Sequence, residues 1–178
     1  MSVAPMPEVE ATGNPEFDEI FNQYSRFVYR TAYAVTGCRE DAEDVLQTIF
    51  LRLAKQKIPP DVLKDPRPYL HRSAVNVSLS VIRSRRRVVN LLDALRQQPP
   101  GAAAGTIFDD ELRSRLREAI GQLKPVAAEI LLLRYTHDYS DAEIARMLGV
   151  SRGAIALKLF RLRARLKNVL RAAMGGKT

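Results

Sequence analysis

The sequence predicts an all-α protein of two small helical domains joined by a flexible linker, the second carrying a helix-turn-helix. Three observations lead there. Apolar residues recur at three- and four-residue steps along most of the 178 residues, with no alternating strand pattern and no internal repeat. The stretch LRQQPPGAAAGTIFDD breaks that period with two prolines and two glycines and marks a linker over roughly 90–109. Finally, YSDAEIARMLGVSRGAIALKL, Tyr139 to Leu159, reads as two short helices around a glycine turn.

Residues 1–14, rich in Pro, Gly and Ala, read as a disordered tail. In NPEF, Asn14 caps a helix and Pro15 takes its first position. Phe17, Ile20, Phe21, Tyr24, Phe27 and Val28 form its apolar stripe, and Gly37 ends it. A second helix, CREDAEDVLQTIFLRLAKQK, buries Ala42, Val45, Leu46, Ile49, Phe50 and Leu53. Glu40, Asp41, Glu43 and Asp44 crowd its first turns, where the helix dipole favours anions. The face opposite its core carries Asp41, Asp44, Gln47, Thr48, Leu51, Arg52 and Lys55. Leu51 is apolar amid polar neighbours: either one stray leucine on a solvated face or the centre of a docking face for a protein.

KIPPDVLKDPRP reads as a Pro-rich loop. PYLHRSAVNVSLSVIRSRRR returns to helix, with Leu70, Ala74, Val77 and Val81 inward. Its end gathers Arg83, Arg85, Arg86 and Arg87, a guanidinium cluster suited to phosphates. Tyr69, His71, Ser73 and Asn76 lie along it and can stack on or hydrogen-bond to unpaired bases. Past the linker, DELRSRLREAIGQL gives Leu112, Leu116, Ala119, Ile120 and Leu123, and Pro125 opens VAAEILLLRY. The latter is apolar nearly all round and belongs at the centre of the second core.

In the helix-turn-helix, Ser140 and Glu143 have capping-box spacing, and Ile144, Met147 and Leu148 form the apolar face. Gly149 falls where a helix end takes a left-handed residue. Val150 is expected to point back to the core and Ser151 to cap the next helix. Ile155, Leu159, Leu162 and Leu166 form that helix's buried stripe, and Ala145 is small where the two helices cross. A helical hairpin that only packs would share these features. The charge separates the readings: from Ser151 to Thr178 there is no Asp or Glu, whereas a solvated face mixes signs. A purely basic helix suits phosphate neutralisation.

The net charge of +8 is uneven. Residues 16–87 hold 13 bases and 9 acids, 88–110 one base and three acids, and 111–178 14 bases and 6 acids. Basic, acidic, basic is the pattern of two nucleic-acid-facing modules around a different linker. The single cysteine, Cys38, excludes an internal disulfide and a cysteine-cluster zinc site, and reads as inert. No apolar run spans a membrane and no signal peptide opens the chain, so a cytoplasmic protein without membrane insertion is expected. There is no Gly-rich phosphate loop and no metal-ligand spacing, and His71 and His137 lack a nucleophile motif; His71, beside Arg72, is expected at the surface or facing nucleic acid. No catalysis, metal or cofactor is expected.

DAEDVLQTIFLRL and PYLHRSAVNVSLSVIRSRRR, followed by the linker and YSDAEIARMLGVSRGAIALKLFRLRARL, resemble an extracytoplasmic-function sigma factor of bacterial RNA polymerase. The resemblance covers about 16–87 and 110–170. It implies a region 2 domain over 15–89, a linker over 90–109 threaded toward the polymerase cleft, and a region 4 domain over 110–174. Asp41, Asp44, Gln47, Thr48 and Leu51 would dock on core RNA polymerase. The loop from Gln56 to Pro66, with Tyr69, His71, Arg72, Asn76, Arg83, Arg85, Arg86 and Arg87, would melt the downstream (−10) promoter element and hold its single strand. Arg152, Ala154, Lys158, Arg161 and Arg165 would read the upstream (−35) element in duplex form. An anti-sigma factor is a further expected partner.

The chain departs from the family pattern at several positions. Thr48 stands where an acid is frequent, Tyr69 serves where the family often has Trp, and Ala154, Ala156 and Leu157 replace residues that are usually polar. Leu157 and Phe160 either touch thymine methyl groups or bury against a regulatory partner. A helix-turn-helix regulator that works without polymerase would account for 111–178 equally well, but leaves the arginine cluster and docking helix unexplained.

Overall fold

The computed structural model describes residues 15–96 and 109–174, and among these the chain is helical, with no strand. The expected tail over 1–14, with the Asn14 cap, and the segment 97–108 lie outside the described residues. The first half comprises α1 (Pro15–Thr36), α2 (Arg39–Ala54), α3 (Pro60–Lys64) and α4 (Pro66–Arg96). The second comprises α5 (Asp109–Gly121), α6 (Pro125–Tyr135), α7 (Asp141–Leu148) and α8 (Arg152–Met174).

Local sequence accounts for most boundaries. Gly37 ends α1 at φ +65°, its N–H donating to the Tyr33 carbonyl at 2.8 Å. The Arg117 side chain of α5 lies in the space a Cβ on Gly37 would take. The region expected as a loop contains α3. Pro60 starts it with φ already set, the N–H groups of Val62 and Leu63 both reach the Pro59 carbonyl at 3.0 Å, and Val62 is buried. α4 continues to Arg96, inside the stretch expected as linker.

Three clusters form the core. The first joins α1, α2 and α4 through residues including Phe17, Ile20, Val28, Val45, Leu46, Ile49, Phe50, Leu70 and Ala74. Phe17, Phe21 and Phe50 meet there edge-on or stacked, with centroids 4.8 to 6.2 Å apart. Another belongs to the helix-turn-helix: Ile130, Leu133, Ile144, Ala145, Ile155 and Leu159, with Ala145 buried at the crossing as expected. The remaining cluster joins the two halves. Val35, Val75 and Leu79 of the first pack with Ile120, Leu123, Ala128, Leu131, Leu132 and Leu162 of the second.

That shared core follows from α6. A helix apolar all round must bury two faces. Ile130 and Leu133 go to the helix-turn-helix, while Ala128, Leu131 and Leu132 go to the seam against α1 and α4. α4 is likewise buried twice. Beside the Leu70, Ala74 stripe, His71, Val75, Ser78 and Leu79 recur at i, i+4, i+7 and i+8 and are all buried.

Around Gly149 the backbone is as expected, with one exception. Ser140 Oγ accepts from the Glu143 N–H while the Glu143 carboxylate accepts from the Ser140 N–H, completing the capping box. Gly149 sits at φ +65°. Ser151 Oγ accepts from the Ala154 N–H at 3.2 Å. Val150 does not return to the core: it is 40% exposed, and only its N–H turns back, to the Ala145 carbonyl at 3.0 Å. Val150 directly follows the left-handed Gly149, and the core of the crossing is made by Ala145 and Ile155 instead.

Candidate nucleic-acid interface

On α2, Asp44, Gln47, Leu51, Arg52 and Lys55 are exposed and Thr48 half-buried, so most of the face opposite the core is open to solvent. Leu51 is 57% exposed. Asp41 is a correction: it is buried rather than on that face, with Oδ2 2.6 Å from Arg85 Nη1. Its position in the first turn of α2 puts the carboxylate near the positive helix end, beneath α4.

The basic end of α4 divides three ways, because successive residues point about 100° apart round a helix. Arg85 goes to Asp41 on α2. Arg86 pairs with Glu118 on α5. Arg83 donates from Nε to the Gly121 carbonyl (3.2 Å) and from Nη2 to the Leu123 carbonyl (2.9 Å), which caps the C-terminus of α5. Arg87 is exposed. Nearly two turns after α4 begins, Arg72 Nε lies 3.6 Å from Oε1 of the buried Glu129 on α6. Glu118 and Glu129 left no trace as partners in the sequence, because Arg86 and Arg72 stand far from them along the chain, on another helix.

His71 is also a correction. It is fully buried, not at the surface, and neither ring nitrogen has a hydrogen bond. It lies between Phe27, 5.7 Å away, and His137, 5.6 Å away across the seam. Burial, and secondarily the charge His137 would carry, push its pKa down to about 3. His137 is lowered to about 4, first by burial and then by the nearby Arg30; its Nε2 is 2.7 Å from Thr31 Oγ1. Arg30 also crosses the seam, donating to the Thr136 carbonyl at 2.5 Å.

Tyr69 and Asn76 are exposed on α4. Asn76 lines an open cleft of about 380 Å³ between α4 and α2, with Arg52, Val77, Ser80, Val81 and Ser84. Its floor is aliphatic and its rim holds hydroxyls, an amide and a guanidinium. That combination can accept a flat polar ring, stacking on valines and hydrogen-bonding at its edge. Ser80 and Ser84 join it without any motif to mark them; their four-residue steps from Asn76 place all three on one face.

On α8, Arg152, Lys158, Arg161 and Arg165 are exposed and Ala154 half-buried. The stripe Ile155, Leu159 and Leu162 faces α6 and α7, which turns these cations outward. Leu157 and Phe160 are 49% and 68% exposed. Arg163 is held, donating to Tyr135 Oη at 2.6 Å and lying 5.9 Å from its ring centroid. Among the described residues no cluster of His, Cys, Asp and Glu could hold a metal ion, and no helix is long and apolar enough to cross a membrane.

Comparison with known proteins agrees with this arrangement. Residues 20–88 match the family Sigma-70 region 2, and residues 113–166 match Sigma-70, region 4. The ECF RNA polymerase sigma factor SigE of Mycolicibacterium smegmatis is 30% identical over 173 residues, 90% of this chain and 65% of that relative's length. RNA polymerase sigma factor CarQ of Myxococcus xanthus is 30% identical over 129 residues, covering 72% of this chain and 74% of its own. The fold resembles sigma factor RpoE of Bartonella quintana, solved with the anti-sigma factor NepR, at a TM-score of 0.50 and 16% identity over 93% of this chain and all of that one. The chain belongs to the extracytoplasmic-function sigma factors of bacterial RNA polymerase.

Proposed function

We propose that this chain is a dissociable, non-catalytic transcription initiation factor that acts in the cytoplasm. It binds core RNA polymerase, recognises the −35 and −10 promoter elements and opens the DNA. Each role has a surface suited to it. The exposed face of α2, with Asp44, Gln47, Thr48 and Leu51, docks on the polymerase. The cleft beside Asn76, with Tyr69 and Arg87 on the same helix, takes an extruded base of the −10 strand, whose unstacking costs a few kcal/mol. The exposed cations of α8 grip the −35 duplex. The observation that carries the reading is the open cleft beside Asn76 on α4, lined by valines, hydroxyls, an amide and a guanidinium, in a chain that also presents an all-basic helix: a regulator of duplex DNA has no use for the first.

Arg72, Arg83 and Arg86 are engaged by the second half of the chain. A guanidinium cannot hold those groups and a phosphate at once with the same N–H donors. Full use of the α4 arginines on the promoter therefore requires the two halves to part. A partner that stabilises the joined form, as an anti-sigma factor would, keeps the chain inactive.

Run-off transcription tests the reading. Core RNA polymerase alone gives no defined transcript from fragmented genomic DNA, and adding the purified chain gives discrete ones. Tight, sequence-specific duplex binding without polymerase, and no stimulated transcript with it, would favour the polymerase-independent regulator.

A further inference from the structure

We infer that α8 reads thymine methyl groups in the upstream element through an apolar ridge centred on Leu157 and Phe160; this rests on the initiation-factor reading above. The buried stripe Ile155, Leu159, Leu162, Leu166 has steps of four, three and four. Gly153, Leu157, Phe160 and Ala164 repeat those steps two residues earlier in register, which places them about 200° round the helix. All four are exposed. The outermost line of the helix is therefore apolar from Gly153 to Ala164, about its first three turns, and the exposed Arg171 follows on the same line.

Its flanks are charged. Lys158, Arg161 and Arg165 run along one side, and Arg152 and Lys167 along the other, all exposed. No acid occurs from Ser151 to Thr178. An apolar crest between two cationic rows fits a major groove, which is about 12 Å wide and has a phosphate row on each side of its base edges. Among the base edges there, thymine alone offers an apolar group, the C5 methyl. A protein partner would need acids on both sides of an apolar furrow, and nothing in the chain favours that over a duplex.

Gly153 supplies an independent observation. Glycine costs a helix roughly 1 kcal/mol relative to alanine. Here a Cβ would meet nothing within 4 Å, and the backbone has ordinary helical φ, so the fold itself does not ask for glycine. Close approach of something external does. Gly153 lies on the same ridge, one turn before Leu157, so a duplex seated on the ridge would meet backbone there rather than a side chain.

The test uses core RNA polymerase loaded with the full chain. A promoter library randomised over the upstream element and scored by run-off transcripts identifies the selected thymines. Each is then replaced by deoxyuridine, which pairs identically and lacks only the methyl. At one or more positions initial-complex affinity is expected to fall about three- to fivefold, the effect of one buried methyl. Leu157→Ala or Phe160→Ala should abolish that sensitivity. Both side chains are exposed, and unchanged thermal melting checks that each variant folds. Three results overturn the inference: no selected thymine, deoxyuridine silent at every one of them, or a sensitivity that survives both substitutions. Any of these with transcription intact leaves the initiation reading standing, whereas a chain that yields no defined transcript removes both.

Discussion

Arg72 on α4 and Glu129 on α6 face each other across the seam between the halves, Nε 3.6 Å from Oε1. The pair is unequal: the arginine is largely exposed, while Glu129 is 2% exposed and its Oε1 has no hydrogen bond. Burial raises the carboxyl's pKa, against the lowering effect of Arg72. A buried carboxylate compensated by one distant cation stabilises little. Glu129→Gln should therefore leave stability unchanged within about 1 kcal/mol or raise it. Arg72→Ala at pH 7 should cost on the order of 1–3 kcal/mol, because it leaves the charge uncompensated. In the Glu129→Gln background the Arg72→Ala cost should largely vanish. Urea denaturation of the four proteins closes the cycle, and an equal Arg72→Ala cost in both backgrounds would refute it.

The two histidines of the seam give a pH dependence with a definite sign. Both are depressed in the folded chain, His71 to about 3 and His137 to about 4, so the unfolded state, at about 6.5, binds more protons between these values. Their contribution is complete above about pH 6.5 and is lost as pH falls toward 4 and then 3. For the buried His71 the loss reaches at most about 1.4 kcal/mol per pH unit. Arg30 opposes and Asp138 favours a proton on His137, and Glu129, raised by burial, moves stability the other way on acidification. Unfolding free energies at pH 7.5, 6 and 5 should fall with pH in the native chain and fall less in His71→Leu. Parallel profiles would exclude His71 as the source.

Gly149 isolates a backbone effect. Its φ is +65° and an added Cβ meets nothing within 4 Å, so Gly149→Ala carries only the left-handed penalty, about 1–2 kcal/mol. Gly149→Asn should cost less, since asparagine tolerates that conformation. Gly37→Ala, at the same φ, must also displace Arg117 and should reduce stability at least as much. Thermal melts of the three variants order them.

Leu51→Asp places a charge where the side chain is already 57% exposed, so folding should change by no more than about 0.5 kcal/mol. Co-purification with core RNA polymerase should fall at least tenfold. Undiminished co-purification would remove Leu51 from the docking face.

Sequence periodicity was sufficient wherever a helix buries one face. The stripes of α1 and α2, the capping box at Ser140, the glycine exits at 37 and 149 and the Ile155 stripe stand in the structure as read. It failed where a helix buries two faces. On α4 the stripe through Leu70 and Ala74 was evident, but the adjoining one through His71, Val75 and Leu79 was hidden by a histidine and a serine that look polar out of context. Asp41 misled for a related reason: its partner, Arg85, is remote in sequence, and an ion pair between separate helices leaves no local trace. The one available signal for the seam was α6, too apolar for a helix packed on one side. The cleft at Asn76 depends on the spacing of two helices, which no single stretch encodes.

The seam core of Val35, Val75, Leu79, Leu131 and Leu132 also governs how strongly any ligand of the separated halves can bind. If only one molecule in a hundred is apart at a given moment, such a ligand is held a hundredfold more weakly than its contacts alone would give. Trimming one of those aliphatic side chains would then tighten binding at a site the side chain never touches.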